Sequence, residues 1–368
     1  MLDVAAGFVR AYFLFDVADT IDLTKAGALR TQSRASGEQS RAAAALPLRP
    51  HAQPYLQFPV PPLVANLGDE SFDALRCSVR LKLYDYGVVS LRLSFPAAGS
   101  WGDLTSLVER ARTDERMARF AQAAVERICD EYAAALDDRH APLVEDYLIV
   151  EIDLFGESVD AETLLDDHAG TLARLLLGER KALAASEAEE ALRMRFSYHE
   201  DDLTIVQWDT AFVYDRRESA RAIEDILEFA NSQLLELRTY DALLDRELDG
   251  IYKMTPSGSR SLRGRREAEQ AAVLQYLIVD VLELTDRSTN ALKVVGDAYY
   301  ARIYRAAATR LGLSDWQRQI DTKLASVGEM YRFFSDQARS RRDEFLEVTI
   351  VALVAIEVVI GILTLLHL

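Results

Sequence analysis

The chain has 368 residues, 49% of them hydrophobic, and sets 42 Lys and Arg against 59 Asp and Glu for a formal charge of −17. That length allows two domains, the composition excludes wholesale disorder, and the acidic balance argues against nucleic-acid binding, sequence-specific recognition included. With only Cys77 and Cys129, no disulfide framework or Cys-based zinc site can form, which fits a reducing compartment.

The opening stretch, MLDVAAGFVRAYFLFDVADTIDL, has neither the charged and apolar regions of a signal peptide nor the Arg-rich, acid-poor bias of a transit peptide. Residues 1–212 mix strand-like and helix-like segments, an α+β pattern. Strands are predicted at Ala11 to Val17, Ala74 to Leu83, Gly87 to Phe95, Leu148 to Phe155, Met194 to Tyr198 and Leu203 to Trp208, each rich in β-branched or aromatic residues. Between Lys25 and Pro54 the apolar periodicity vanishes, which predicts a flexible loop, basic but for Glu38. Helices are predicted over Asp103 to Leu136 and over Asp160 to Leu177, the second stopping at Gly178. The order of these elements suggests a loosely ferredoxin-like sheet covered by helices.

His199, Glu200, Asp201 and Asp202 form a compact cluster able in principle to bind a metal or act as acid and base. They fall where a hairpin turn is expected, and no second ligand motif accompanies them. A metal-dependent enzyme using this cluster is therefore the alternative function, and a non-enzymatic role without a cofactor the first.

Residues 213–345 carry heptads running from Ile223 to Ile251, from Leu274 to Ala298 and from Ile320 to Phe345, which predicts a long antiparallel three-helix coiled-coil bundle. Asp241 and Arg341 interrupt apolar seams on two of these helices and are expected to pair. The stretch Val348 to Leu366 holds nineteen residues with the single charge Glu357, which predicts a C-terminal transmembrane helix within 346–366. Connectivity then brings the basic connection with Lys253, Arg260, Arg263, Arg265 and Arg266 to the membrane surface, beside Arg339 and Arg342, where anionic lipids are the expected partners. A buried Glu357 is expected to face another subunit and so drive homo-oligomerisation.

The segment around this anchor resembles the C-terminus of the required-for-meiotic-nuclear-division family, whose members carry a domain of unknown function. The likeness falls on Leu346, Glu347, Ile350, Val351, Leu353, Ile356, Glu357 and Val358, preceded by Asp321, Lys323 and Leu324. The resemblance implies a membrane-anchored oligomeric scaffold or tether, linked to translation or envelope organisation through a protein or ribosomal partner. With no transit peptide, the expected location is a bacterial inner membrane with the bulk of the chain cytoplasmic, the alternative being the mitochondrial inner membrane.

Overall fold

A computed structural model describes residues 2–28, 48–51, 60–215, 217–252 and 297–329, with isolated positions 56, 58, 279, 332, 349–351, 353 and 356. The chain forms two compact units, Met1–Thr239 with Arg287–Trp316, and Tyr240–Asp286 with Gln317–Leu368.

The first unit is built on β1 (Asp3–Asp16), a strand so apolar on both sides that it needs cover on each. Its neighbours are β6 (Val88–Ser100) and β8 (Leu143–Phe155), both antiparallel to it. The sheet extends through β5 (Leu75–Leu83), β4 (Leu63–Phe72) and β3 (Arg49–Pro50) on one side. On the other lie β11 (Thr210–Tyr214), β10 (Leu203–Val206) and β9 (Arg195–Phe196), giving the nine-stranded order β3-β4-β5-β6-β1-β8-β11-β10-β9. The pairing of β11 with β8 is parallel, so the sheet is mixed. A two-stranded ribbon joins β2 (Thr20–Ile21) to β7 (Leu136–Asp137).

Val9, Ala11, Phe13 and Phe15 of β1 share a core with helices α1 (Trp101–Thr113), α2 (Glu115–Glu131) and α3 (Ala161–Leu177). The stretch read as one helix from Asp103 is two. Asp114 ends α1 in an extended conformation, and its carboxylate then accepts the Arg116 N–H at 3.1 Å to cap α2. Helix α3 stops at Gly178, whose φ of 68° is the left-handed ending glycine permits. A short α4 (Ala185–Ala191) follows.

The opposite face of the sheet receives α5 (Arg217–Tyr252), a 36-residue helix, and α6 (Ala298–Arg310) packs on α5 in turn, with Tyr304 stacked on Phe229 at 6.0 Å. This arrangement corrects the predicted three-helix coiled-coil bundle. The heptad positions Ile223, Leu227, Ala230, Leu234 and Leu237 are buried, but so are Glu224, Glu228, Ser232, Gln233 and Glu236. Burial all round marks a helix enclosed by a sheet and a neighbour, not one with a narrow apolar seam. Of the second heptad run, almost all lies outside the described residues, and no long bundle is present among those described.

Nor is any helix among the described residues long and apolar enough to cross a membrane. The transmembrane helix expected at 346–366, the tail-anchored reading and the inner-membrane location, bacterial or mitochondrial, are accordingly not supported. Within that stretch only Thr349, Ile350, Val351, Leu353 and Ile356 are described. The loop expected between Lys25 and Pro54 also falls largely outside the described residues.

Candidate functional site

Strand alternation turns Phe8, Arg10, Tyr12 and Leu14 away from the apolar core and toward α5. Register does the rest. Ser94 and Arg92 of β6 lie opposite Arg10 and Tyr12, Ser78 and Arg80 of β5 lie opposite Ser94 and Arg92, and Asn66 of β4 lies opposite Arg80. Glu151 of β8 stands across from Phe8. One face of the sheet therefore carries Arg10, Arg80, Lys82 and Arg92 at close quarters, an arrangement of like charges that is unfavourable unless countered.

Helix α5 supplies the countercharge. Arg10 Nε lies 2.7 Å from Glu151 Oε2 and 2.5 Å from Glu224 Oε1, while Arg92 Nη1 donates to Glu224 Oε2 at 2.9 Å and the Tyr12 hydroxyl donates to the same oxygen at 3.2 Å. One turn on, Lys82 Nζ bridges Asp225, at 2.7 Å, and Glu228. His51 Nε2 meets Asp225 at 3.1 Å, and its Nδ1 is 3.4 Å from Arg80 Nη2. Both ring nitrogens are thus engaged, with Nδ1 the acceptor for the guanidinium and Nε2 carrying the proton given to the carboxylate.

Burial sets the protonation of this network. It pushes the Glu151 carboxyl up to about 9, and the neighbouring Glu224 reinforces the shift against the opposing pull of Arg10. Burial would raise Glu224 as well, but Glu151, Arg10 and Arg92 together hold it below the usual carboxylate range. Asp225 is likewise held low, because Lys82 and His51 outweigh its burial. The pair of glutamates therefore carries one negative charge, on Glu224, and Glu151 keeps its proton.

Above the network opens a cavity of about 510 Å³. Arg10, Arg49, Arg80, Arg92 and Arg221 line it, contributed by β1, β3, β5, β6 and α5, and His51 adds a sixth nitrogen base. Asn66, Ser78 and Ser94 supply uncharged hydrogen-bonding groups, and Glu151 is the one carboxyl in the lining. Among the described residues no carboxylate pairs with Arg49, Arg80 or Arg221. A second cavity, about 390 Å³ between α1 and α3, also holds three arginines, but there Arg180 is paired with Glu109 and Arg112 donates to the Leu176 carbonyl and to Thr210. Its third arginine, Arg174, donates Nε–H to the Gly170 carbonyl at 3.3 Å.

None of the residues singled out from the sequence lies in the arginine-lined cavity. Asp202 is buried and serves its own turn, accepting the Tyr198 N–H at 2.8 Å and the His199 N–H at 2.7 Å. Among the described residues no group of three or more His, Cys, Asp or Glu could hold a metal, at His199 to Asp202 or elsewhere. Asp241 is held by Lys323 Nζ at 2.6 Å, with Gln319 Nε2 at 3.2 Å. Its expected partner Arg341 lies outside the described residues, as do Lys253, Arg260, Arg263, Arg265, Arg266, Arg339, Arg342 and Glu357.

Residues 6–220 match a family described as "Uncharacterized protein MJ0711, N-terminal domain". An uncharacterized protein, MJ0711 of Methanocaldococcus jannaschii, is 24% identical over 207 residues, which cover 56% of this chain and 63% of that protein. This chain thus spans less than two thirds of the length of that relative. No solved structure matches. These matches correct the resemblance to the required-for-meiotic-nuclear-division family, to which nothing in them points. The matched segment contains β1 from its fourth residue on and the ten other strands described, and with them Arg10, Arg49, Arg80, Arg92 and Glu151.

Proposed function

We propose that this chain, which belongs to the MJ0711 N-terminal-domain family, binds a small anionic ligand in the arginine-lined cavity and holds it without transforming it. The observation that carries this reading is the convergence of five arginines from five separate elements on one cavity whose only carboxyl keeps its proton. Guanidinium groups match the geometry of phosphate and carboxylate oxygens, and hydrogen bonds to them are the stronger, charge-assisted kind. Holding is favoured over catalysis because His51, the natural acid–base group of the site, has both ring nitrogens occupied by Asp225 and Arg80. Calorimetry of the full chain with inorganic phosphate and pyrophosphate is expected to show saturable binding. The double variant Arg80→Gln, Arg221→Gln should weaken it at least about tenfold, as the loss of charge-assisted hydrogen bonds requires. Absence of saturable binding for either anion, or equal binding by the variant, would remove this reading.

A second reading keeps the scaffold expectation in one respect. Ile350, Val351, Leu353 and Ile356 are helical and between 56% and 63% exposed, and exposed apolar side chains clustered in this way mark an association surface. We infer that copies of this chain associate there. Light scattering on the full chain should give a mass above that of one copy, reduced by Leu353→Asp; a monomer, or an unchanged mass in the variant, sinks the idea.

A further inference from the structure

His51 stands where the lining of the cavity meets α5, its side chain 26% exposed. The two ring nitrogens meet opposite partners. Nε2 lies 3.1 Å from Asp225 Oδ2, while Lys82 takes the other oxygen of that carboxylate at 2.7 Å. Nδ1 faces Arg80 Nη2 at 3.4 Å, a contact in which only a neutral ring, with its lone pair free, can accept. The neutral imidazole thus holds back one of the guanidiniums that line the cavity.

We propose that uptake of a proton at His51 Nδ1 strengthens anion binding in this cavity, so that the site loads in acid and releases its anion as pH rises. The proposal rests on the anion-binding reading and adds its regulation. Geometry gives the sign. A protonated Nδ1 has no lone pair left, so Arg80 loses its acceptor and its guanidinium becomes available to the cavity. The new Nδ1–H lies on the side from which Arg80 approached and is a further charged donor for an oxyanion. Asp225 accepts from Nε2 in both states, so the ring keeps its anchor on α5. An anion set between the two cations relieves their repulsion, and the coupling is mutual: the anion favours the charged ring as much as the charged ring favours the anion.

The surrounding charges do not imitate this response. Asp225, Glu228 and Arg221 come from α5, Arg80 and Lys82 from β5 and Arg49 from β3, with Arg10 and Arg92 deeper in the same lining. Among all these, imidazole is the only side-chain type that ordinarily changes charge between about pH 5 and 8. Lys82 and His51 hold Asp225 below the usual carboxylate range, and burial pushes the Glu151 carboxyl up to about 9.

Sulfate is the probe, because its charge is constant over the range in which histidine titrates, about pH 5.5 to 8, whereas inorganic phosphate loses a proton there. Calorimetry of the full chain at fixed ionic strength, in two buffers of different ionisation heat, reads affinity and proton uptake together. Sulfate is expected to bind about fivefold or more tighter at the acid end, with net proton uptake on binding between the two extremes. His51→Gln can still accept from Arg80 and donate to Asp225 but cannot titrate, and it should abolish both effects. If that variant does not fold, Arg80→Gln keeps the test open, since it removes the group that the neutral ring holds back and should shrink the acid advantage. Equal or weaker sulfate binding in acid, or an acid advantage undiminished in the variant, would overturn the proposal and leave the anion-binding reading standing. Failure of sulfate to bind at either pH where phosphate binds would do the same. No saturable binding of sulfate or phosphate at any pH removes both.

Discussion

Arg10→Met is expected to destabilise the first unit by about 3 kcal/mol, because it takes from Glu224, buried between α5 and the sheet, one of the two guanidiniums that hold its charge and leaves Arg92 alone to do so. Arg10 is 8% exposed, Glu151 1% and Glu224 2%, so water cannot take over the role of the guanidinium. Adding Glu224→Gln to Arg10→Met should recover part of the loss, since two groups that need each other cost less removed together than one at a time. The deficit should also narrow in acid. Arg10 helps hold Glu224 below its ordinary pKa, so that contribution to wild-type stability is present above about pH 4.3 and fades as pH falls through the native value. Denaturant titration followed by circular dichroism measures all three. A loss below about 1 kcal/mol, or one that grows in acid, would show that Arg10 is not the partner on which the carboxyls depend.

Gly87→Ala should be at least as damaging, by about 4 kcal/mol or more, and for a steric reason. At φ +87° the residue occupies a conformation that L side chains rarely adopt, and a Cβ there would sit 1.7 Å from the Ala18 carbonyl oxygen, a backbone atom that cannot swing aside. The same carbonyl region is tied down, with Val17 N–H donating to the Gly87 carbonyl at 3.1 Å and Ile21 N–H to that of Asp85 at 2.8 Å. Gly68→Ala is the control: φ is +99°, but nothing lies within 4 Å of the added methyl, so only the conformational strain, about 1–2 kcal/mol, should be seen. Equal losses at the two positions would mean that strain, and not collision with Ala18, governs Gly87.

The strands at the middle of the sheet are legible in the sequence because β1, β5, β6 and β8 are long and rich in β-branched and aromatic residues. β4 is not. Its LVANLGDESF exposes Asn66, Asp69 and Gly68, and a strand with one wet face and a bulge reads as a loop. β11, TAFVY, is five residues between Asp209 and Asp215, too short for a pattern to form. In α5 the heptad positions are real but partial, since the buried Glu224, Glu228 and Glu236 stand between them and read as a solvated face. The cavity is the least legible element. Arg10, Arg49, Arg80, Arg92 and Arg221 follow no common spacing, and each is an ordinary surface residue by its neighbours alone. A signal does exist in the alternation: SVRLKL and SLRLSF place Arg, Lys and Ser on one face of strands whose other face is wholly apolar, and EDILE at the start of α5 carries acids to match. Only the register between strands shows that these faces are the same face.

The central position of β1 has a consequence for how the molecule is made. Its two neighbours are β6 and β8, and roughly 130 residues of chain separate the end of β1 from the start of β8 at Leu143. At ~5–20 residues per second, about 6–25 s of synthesis pass before the second edge of β1 can be paired. During that time the longest strand in the sheet has emerged with one edge unmatched, and its Phe8, Tyr12, Phe13 and Phe15 lie in a run that other chains could pair with. The pairing that organises the fold is therefore also one of the longest-range contacts the chain must find, which places its folding among the slow, high-contact-order class and makes the newborn chain a candidate for holding by a chaperone.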